Sequence, residues 1–442
     1  MSLVENRDAR PPGPTGLPVV GNSLQFGRDP LSYMTHAARA YGDVVYLEFA
    51  GMPFYQLNHP DLVKYVLVEN NQNYRKGDLF QYELRLLGQG LLNSEGAAWR
   101  EQRHRLEPAF HPQRIAAFAE MMTGYTERFL EEWADEEVRD VHEDMMRLTL
   151  EIVADALFSV DIRRESTEIG EALETVMEQF RRSSRLPLEV PDWLPTRTNL
   201  EFHRAAKALD AVVANIIRER NAGTREGADD VVSRLLDAGV PEENLRDEVL
   251  TLVLAGHETT ALALSYTFDL LTRHPPVLAE VQAELDSLAG HPPTMADVKA
   301  MTRTDQVLKE SMRLYPPVYG LLREPLTDDE IGGYHIPVGA TVGMHQWVIH
   351  RDPRFFSDPR SFRPDRWTPA FERELPAFAY FPFGGGPRRC IGDRFAMLEA
   401  KFVLGTILQQ FDVEAVSTKP LELDPAITLR PKGGIRVRVT RR

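Results

Sequence analysis

Between Pro241 and His274 the chain carries one uninterrupted helical pattern, and that run sets the scale of everything around it. Proline suits the first position of a helix, and Glu242 and Glu243 suit its amide end. Pro275 and Pro276 stop the pattern. The run is roughly 30 residues, or about 45 Å at about 1.5 Å per residue. A helix of that length crosses a whole domain, so the chain must wrap around it and bury its centre. That centre is Leu-Ala-Gly-His-Glu-Thr-Thr-Ala, residues 254 to 261, between the apolar runs Leu252 to Leu254 and Ala261 to Leu264. A glycine costs about 1 kcal/mol against alanine in a helix interior, and unpaired buried polar groups cost more. Stability alone does not choose such a cluster. Either the glycine is tolerated and the threonines bond back to carbonyls one turn earlier, or the segment carries chemistry.

A second constraint is Cys390, the only cysteine in 442 residues. It excludes an intramolecular disulfide, which fits a reducing compartment, and it excludes a Cys-ligated iron–sulfur cluster within this polypeptide. An unpaired cysteine is most often an inert core residue. This one stands in Phe-Pro-Phe-Gly-Gly-Gly-Pro-Arg-Arg-Cys-Ile-Gly, residues 381 to 392, just before a helix. Arg388, Arg389 and the amide end of that helix supply the positive potential that favours a metal-bound thiolate.

The loop resembles the haem-ligand loop of the cytochrome P450 family, with matches at Phe383, Gly386, Arg388, Cys390 and Gly392. The resemblance implies that Cys390 ligates the iron of haem b and that Phe383 shields the sulfur. Gly384 to Gly386 would let the chain approach the flat ligand closely. The centre of the long helix is similar to the family's oxygen-activating motif, with Ala255, Gly256, Glu258, Thr259 and Thr260 in register. By that resemblance Gly256 permits a local opening of the helix, Thr259 hydrogen-bonds on the oxygen side of the iron, and Glu258 helps relay protons from solvent. His257 receives no catalytic role.

Two scaffold signals follow in the family's order. Glu310 and Arg313 stand three apart, so they share a helix face; alone this is an ordinary surface pair. Phe-Arg-Pro-Asp-Arg-Trp at 362 to 367 matches the segment whose arginine joins them, here Arg366. The three would form a buried network bracing the Cys390 loop. Haem propionates need cations, preferably arginine. Trp99 and Arg103 match the propionate-binding helix, and Arg323 and Arg388 sit where further partners are expected; His104 either helps or lies at the surface.

Lys and Arg total 51 against 66 Asp and Glu, a formal charge of −15, which argues against nucleic-acid binding. The opening residues lack a signal-peptide core and no segment is an apolar span of membrane length, so the expectation is a soluble cytoplasmic protein without a transmembrane anchor. No low-complexity linker or repeat divides the chain, which reads as one catalytic domain over 1–442. The fold class is mainly α with a smaller β-rich part (α+β). A helical body is expected over about 96–318, and β-rich portions over about 44–58 and 323–442. Strands are expected at Val44 to Phe49, Pro53 to Asn58, Thr341 to Met344 and near Ile435 to Val439, and Pro11 to Pro18 is expected to be irregular.

The resemblance implies a monooxygenase that uses dioxygen and two electrons. Those electrons would come from a ferredoxin or flavodoxin with its reductase, and so indirectly from NAD(P)H. Arg103, Arg105, Arg114, Arg389, Arg394 and Lys401 would receive the acidic partner, or are simply a solvated face. The pocket would be lined from Phe80 to Leu87, from the 175 to 200 region, by Leu252 and Ala255, by Val318 to Leu322 and near Ile427. These residues are largely apolar and favour a lipophilic substrate: a long-chain lipid, a terpenoid or a carotenoid. The chain resembles fatty-acid and carotenoid hydroxylases more than many small-terpene enzymes. The alternatives are a peroxygenase or isomerase of the same fold, and a non-catalytic haem sensor.

Overall fold

The long helix runs from Glu242 to Arg273, with Pro241 at its N-terminal cap and His274 at its C-terminal cap. Pro275 ends it by starting another helix, Pro275–Asp286, in which it is the first residue. A computed structural model describes residues 10–77, 85–163, 166–185, 194–221, 230–288 and 290–442. The chain divides into two compact units, one from Met1–Tyr82 and Met312–Cys390, the other from Glu83–Ser311 and Ile391–Arg442.

In the second unit the long helix packs against Val141–Phe158, and Asp393–Gln410 packs against both the long helix and Ala119–Leu130. The helices Ser166–Arg185 and Arg197–Asn221 pack on each other. Among the described residues, one strand interrupts the expected helical body. Glu137–Asp140 pairs antiparallel with Arg436–Arg441, which also pairs with Phe411–Ala415. Glu137–Asp140 carries no local strand signature, because its conformation is set by its partner.

The first unit is built on a five-stranded sheet in the order Val44–Phe49, Met52–Leu57, Thr341–Met344, Leu321–Pro325, Tyr74–Arg75. The first two strands form a hairpin whose turn, Ala50 and Gly51, has positive φ at both positions (51° and 85°), the geometry that matches strand twist. The second strand starts one residue earlier than expected. Met52–Leu57 also pairs in parallel with Thr341–Met344, with Leu57 opposite Met344. Val44, Tyr55, Leu57, Val342 and Met344 are buried in its core with Val66 and Leu67. The irregular Pro11–Pro18 stretch docks along the edge, where Tyr46 N–H donates to the Pro12 carbonyl at 3.0 Å. Two helices unforeseen in the sequence precede the strands, Ser23–Arg28 and Pro30–Tyr41. The second has a clear start, since Asp29 caps Ser32 N–H at 3.0 Å and proline takes the first position.

Candidate active site

The Cys390 loop is shaped by its own backbone. Cys390 N–H donates to the Phe383 carbonyl at 3.0 Å, Arg389 N–H to the Gly386 carbonyl at 3.1 Å, and Gly384 N–H to the Phe381 carbonyl at 2.9 Å. Gly384 and Gly386 take positive φ, 68° and 67°, which side chains other than glycine rarely adopt. Gly386 is doubly constrained, since a Cβ there would come 1.8 Å from the Leu67 carbonyl oxygen. Leu67 belongs to a π-helical turn, Tyr65–Glu69, that packs against the Gly386–Arg388 turn. Gly385 is extended, and its missing side chain leaves room for the Phe378 ring. Gly392, by contrast, has φ −93°, and a Cβ would meet only Phe110 at 3.8 Å, so the backbone does not require glycine there. Cys390 itself is exposed, which removes the inert-core reading of its thiol.

The loop is tied to a brace. Arg313 is fully buried and donates to three carbonyls, of His350 (2.8 Å), Pro359 (2.6 Å) and Ser361 (3.1 Å). Arg366 donates to the Ser357 carbonyl at 2.9 Å. Both arginines therefore gather the 350–361 segment. His350 passes the restraint on, because its Nε2 accepts the N–H of Phe381, where the Cys390 loop begins, at 2.9 Å. Burial and the cations of Arg313 and Arg351 push His350 well below its usual range, so it stays neutral and keeps that acceptor. Glu310, three residues before Arg313 on the Thr302–Leu314 helix, is also fully buried. His350 and Leu67 were not foreseen; nothing local in the sequence marks either as a support.

On the long helix, Ala255 is exposed and Gly256 and Thr259 are partly so, while Leu252, Leu254, His257, Glu258, Thr260 and Ala261 are buried. Four carbonyls in this stretch accept side-chain bonds. Thr259 donates to Ala255 (2.8 Å), Thr260 to Gly256 (3.2 Å), the His257 Nδ1–H to Val253 (2.7 Å), and Thr149 from the neighbouring helix to His257 (2.9 Å). The threonines do bond back, so these carbonyls are shared between backbone amides and side chains. Gly256 has a packing reason of its own: a Cβ would press on Val153 of Val141–Phe158 at 3.2 Å, and the helix remains α-helical throughout Glu242–Arg273.

Glu258 is 2 % exposed and does not stand alone. Its Oε1 accepts from Arg430 Nε at 2.6 Å and from Thr428 Oγ1 at 2.5 Å. Burial opposes its charge, but the Arg430 guanidinium outweighs that and holds the carboxyl below its ordinary range. No sequence spacing links residues 258 and 430; the only hint was an arginine in an otherwise apolar strand.

Trp99 and Arg103 lie one turn apart on Gly96–Leu106 and are both partly buried; Arg103 Nε also donates to Glu107 at 3.1 Å. His104 is exposed. Arg323 and Arg388 are partly buried, and Arg323 donates to the Leu322 carbonyl at 2.7 Å. Of the six cations expected to form a docking patch, Arg105 pairs with Glu101 at 2.5 Å and Lys401 with Asp305 at 2.6 Å, the lysine being 13 % exposed. Lys401 is thus internal to the protein's own packing. Arg389 and Arg394 are exposed, and Arg114 is partly so.

Of the expected pocket segments, Phe80 to Leu84 and 186–193 lie outside the described residues. Next to the first, three successive residues of the long helix grip the 86–91 turn. Arg246 donates to the Leu86 carbonyl (2.6 Å), Gln89 N–H donates to Asp247 (2.8 Å), and Leu91 N–H donates to Glu248 Oε2 (3.0 Å). Burial lifts the Glu248 carboxyl to about 7.

The sequence matches the family described as Cytochrome P450 over residues 11–437. It is 35 % identical over 425 residues to cyclooctatin synthase of Streptomyces melanosporofaciens, covering 94 % of this chain and 92 % of that protein. It is 34 % identical over 414 residues to cyclooctat-9-en-7-ol 5-monooxygenase of the same organism, covering 91 % and 89 %. Among solved structures, the cytochrome P450DA heme domain superposes with a TM-score of 0.89 at 28 % identity over 99 % of both chains. Among the described residues no helix is long and apolar enough to cross a membrane. Sequence profile, relatives and fold agree: this chain belongs to the cytochrome P450 family and is a P450 monooxygenase.

Proposed function

We propose that the protein hydroxylates a lipophilic substrate of the terpenoid class, with Cys390 as the thiolate that would hold its haem and the whole chain as one catalytic domain. The observation that carries the assignment is the ligand loop: an exposed lone thiol, closed by the Cys390–Phe383 backbone bond and set on glycines that no other residue replaces without strain. The donor chemistry fits a haem, which needs one soft anionic ligand rather than a cluster of protein ligands. When bound, haem supplies the dioxygen chemistry that places one oxygen atom in a C–H bond and releases the other as water.

The protein's own residues have narrower tasks. Phe383 would cover the sulfur, and Arg388, Arg323, Trp99 and Arg103 would hold the propionates with charge-assisted bonds. Glu310, Arg313 and Arg366 keep the loop in place. Thr259, whose hydroxyl rests on the Ala255 carbonyl beside Gly256, would supply the hydrogen-bonding group where dioxygen is handled, and Glu258 would handle protons behind it. Electrons arrive from a separate ferredoxin or flavodoxin with its reductase, drawing on NAD(P)H, and Arg389 and Arg394 are the exposed cations suited to receive it.

The substrate class draws support from the relatives, one named as the synthase of cyclooctatin and one as a monooxygenase of the alcohol cyclooctat-9-en-7-ol, and from apolar Leu252 and Ala255. Among long-chain lipid, terpenoid and carotenoid, that favours the terpenoid. The test is the carbon monoxide difference spectrum of the reduced protein, expected to show the band of thiolate ligation and to lose it in Cys390→Ser. A histidine-type band, or no haem uptake, overturns the assignment. A binding screen then separates substrate classes: spectral shifts with terpene alcohols are expected, and shifts confined to fatty acids refute the terpenoid reading.

A further inference from the structure

We propose that Arg430 and Thr428 are positioning residues for proton handling, tying Glu258 to the C-terminal hairpin so that the hairpin's placement sets whether Glu258 is available to Thr259. The inference rests on the roles given above to Glu258 and Thr259. The hairpin pairs Leu423–Pro425 with Leu429–Pro431. Residues 428 and 430 are two apart, so they project to the same side, and both meet one oxygen of Glu258. From the residue between them, the Leu429 carbonyl accepts Tyr266 O–H from the long helix at 2.8 Å. Three side-chain bonds therefore lock the hairpin to the long helix over two turns. Ile427, in the connecting turn, was expected to line the substrate pocket, and it is bonded in sequence to Thr428. A substrate pressing on that turn moves the donors that hold Glu258.

Arg430 also reaches outward. Its second arm bonds Glu174 of Ser166–Arg185, a carboxylate 49 % exposed, whereas Arg430 is 5 % exposed. The charged and titratable groups facing Glu258 are thus Arg430 from the hairpin, Glu174 behind it, His142 from Val141–Phe158, and His257 beside it on the long helix. Burial keeps both histidines neutral, so Arg430 is the principal counter-charge. While that pair holds, Glu258 is an ionised acceptor without a proton to give. Loosening the pair leaves a carboxyl in the interior, which takes up a proton.

The test uses the haem-loaded protein and needs no substrate. Difference infrared spectra over pH 5 to 9 read the protonated-carboxyl band of Glu258, which is absent in the wild type and is identified in Arg430→Gln by its loss when Glu258→Gln is added. In parallel, the rate at which air-saturated buffer reoxidises the reduced protein is measured in H2O and D2O over the same range. Arg430→Gln is expected to create the carboxyl band at neutral pH and to move the pH profile up by about one to three units. Thr428→Val is expected to move both in the same direction by less, and Arg430→Lys to stay near wild type. A wild-type spectrum and profile in Arg430→Gln and Thr428→Val, with Glu258→Gln altered, would overturn the inference while leaving Glu258's role intact. An unaltered Glu258→Gln profile would instead remove Glu258 from the mechanism. If Arg430→Gln fails to bind haem, Thr428→Val decides, because it removes one hydroxyl and keeps the shape.

Discussion

Replacing Glu248 by glutamine turns the grip on the 86–91 turn into a measurable pH dependence. The carboxyl stands at about 7 in the folded protein against 4.5 when solvated. The folded state therefore binds its proton more tightly, and between those values stability falls as pH rises. The cost is complete above about pH 7. One pKa unit corresponds to about 1.4 kcal/mol, so the gap corresponds to about 3 kcal/mol. Glutamine keeps an oxygen for the Leu91 N–H and has no charge to desolvate. Thermal unfolding of both proteins from pH 5 to 8.5 should show a small difference at pH 5. By pH 8 the variant should unfold about 3 °C higher if the chain unfolds cooperatively. Reading the difference between variant and wild type cancels every other titrating group. A constant offset at all pH values, or a variant that loses ground as pH rises, would refute the argument that burial dominates at this residue.

Three further outcomes are expected. Gly386→Ala should cost about 3 kcal/mol or more and shorten the lifetime of the thiolate carbon monoxide band; Gly392→Ala, whose Cβ has room, should leave that lifetime unchanged. Arg313→Met orphans three carbonyl acceptors at about 1–3 kcal/mol each, so the haem-to-protein ratio should fall sharply, and a wild-type ratio would contradict the brace. Neutralising Arg389 and Arg394 should slow reduction by a ferredoxin and flatten its dependence on salt. Lys401→Met should lower the melting temperature without that change in salt dependence, because its charge is spent on Asp305.

Local features were legible where the chemistry is local. Pro241 and the prolines at 275 and 276 bounded the long helix, Thr341–Met344 emerged with the expected limits, and Gly384 and Gly386 of the Cys390 loop marked where φ turns positive. What resisted was pairing at long range. Glu137–Asp140 is a strand only because Arg436–Arg441 lies beside it, and Glu258 has its character from a residue in the last strands. The sequence motif presents Gly256 as a feature of the site, yet its close neighbour is Val153, whose position no local pattern encodes. His350 reads as an ordinary histidine until its ring nitrogen is found holding the Phe381 amide.

The parallel pairing of Met52–Leu57 with Thr341–Met344 also has a consequence for synthesis. The N-terminal hairpin leaves the ribosome about 280 residues before the strand that completes its sheet. At about 5–20 residues per second this is a wait of roughly 15 to 60 s. Throughout it, Met52–Leu57 presents an open edge of unpaired amides and carbonyls, the surface on which nascent chains associate. Lowering the temperature during expression, or supplying a chaperone that shields the nascent chain, should therefore raise the soluble yield more than any substitution at the catalytic residues.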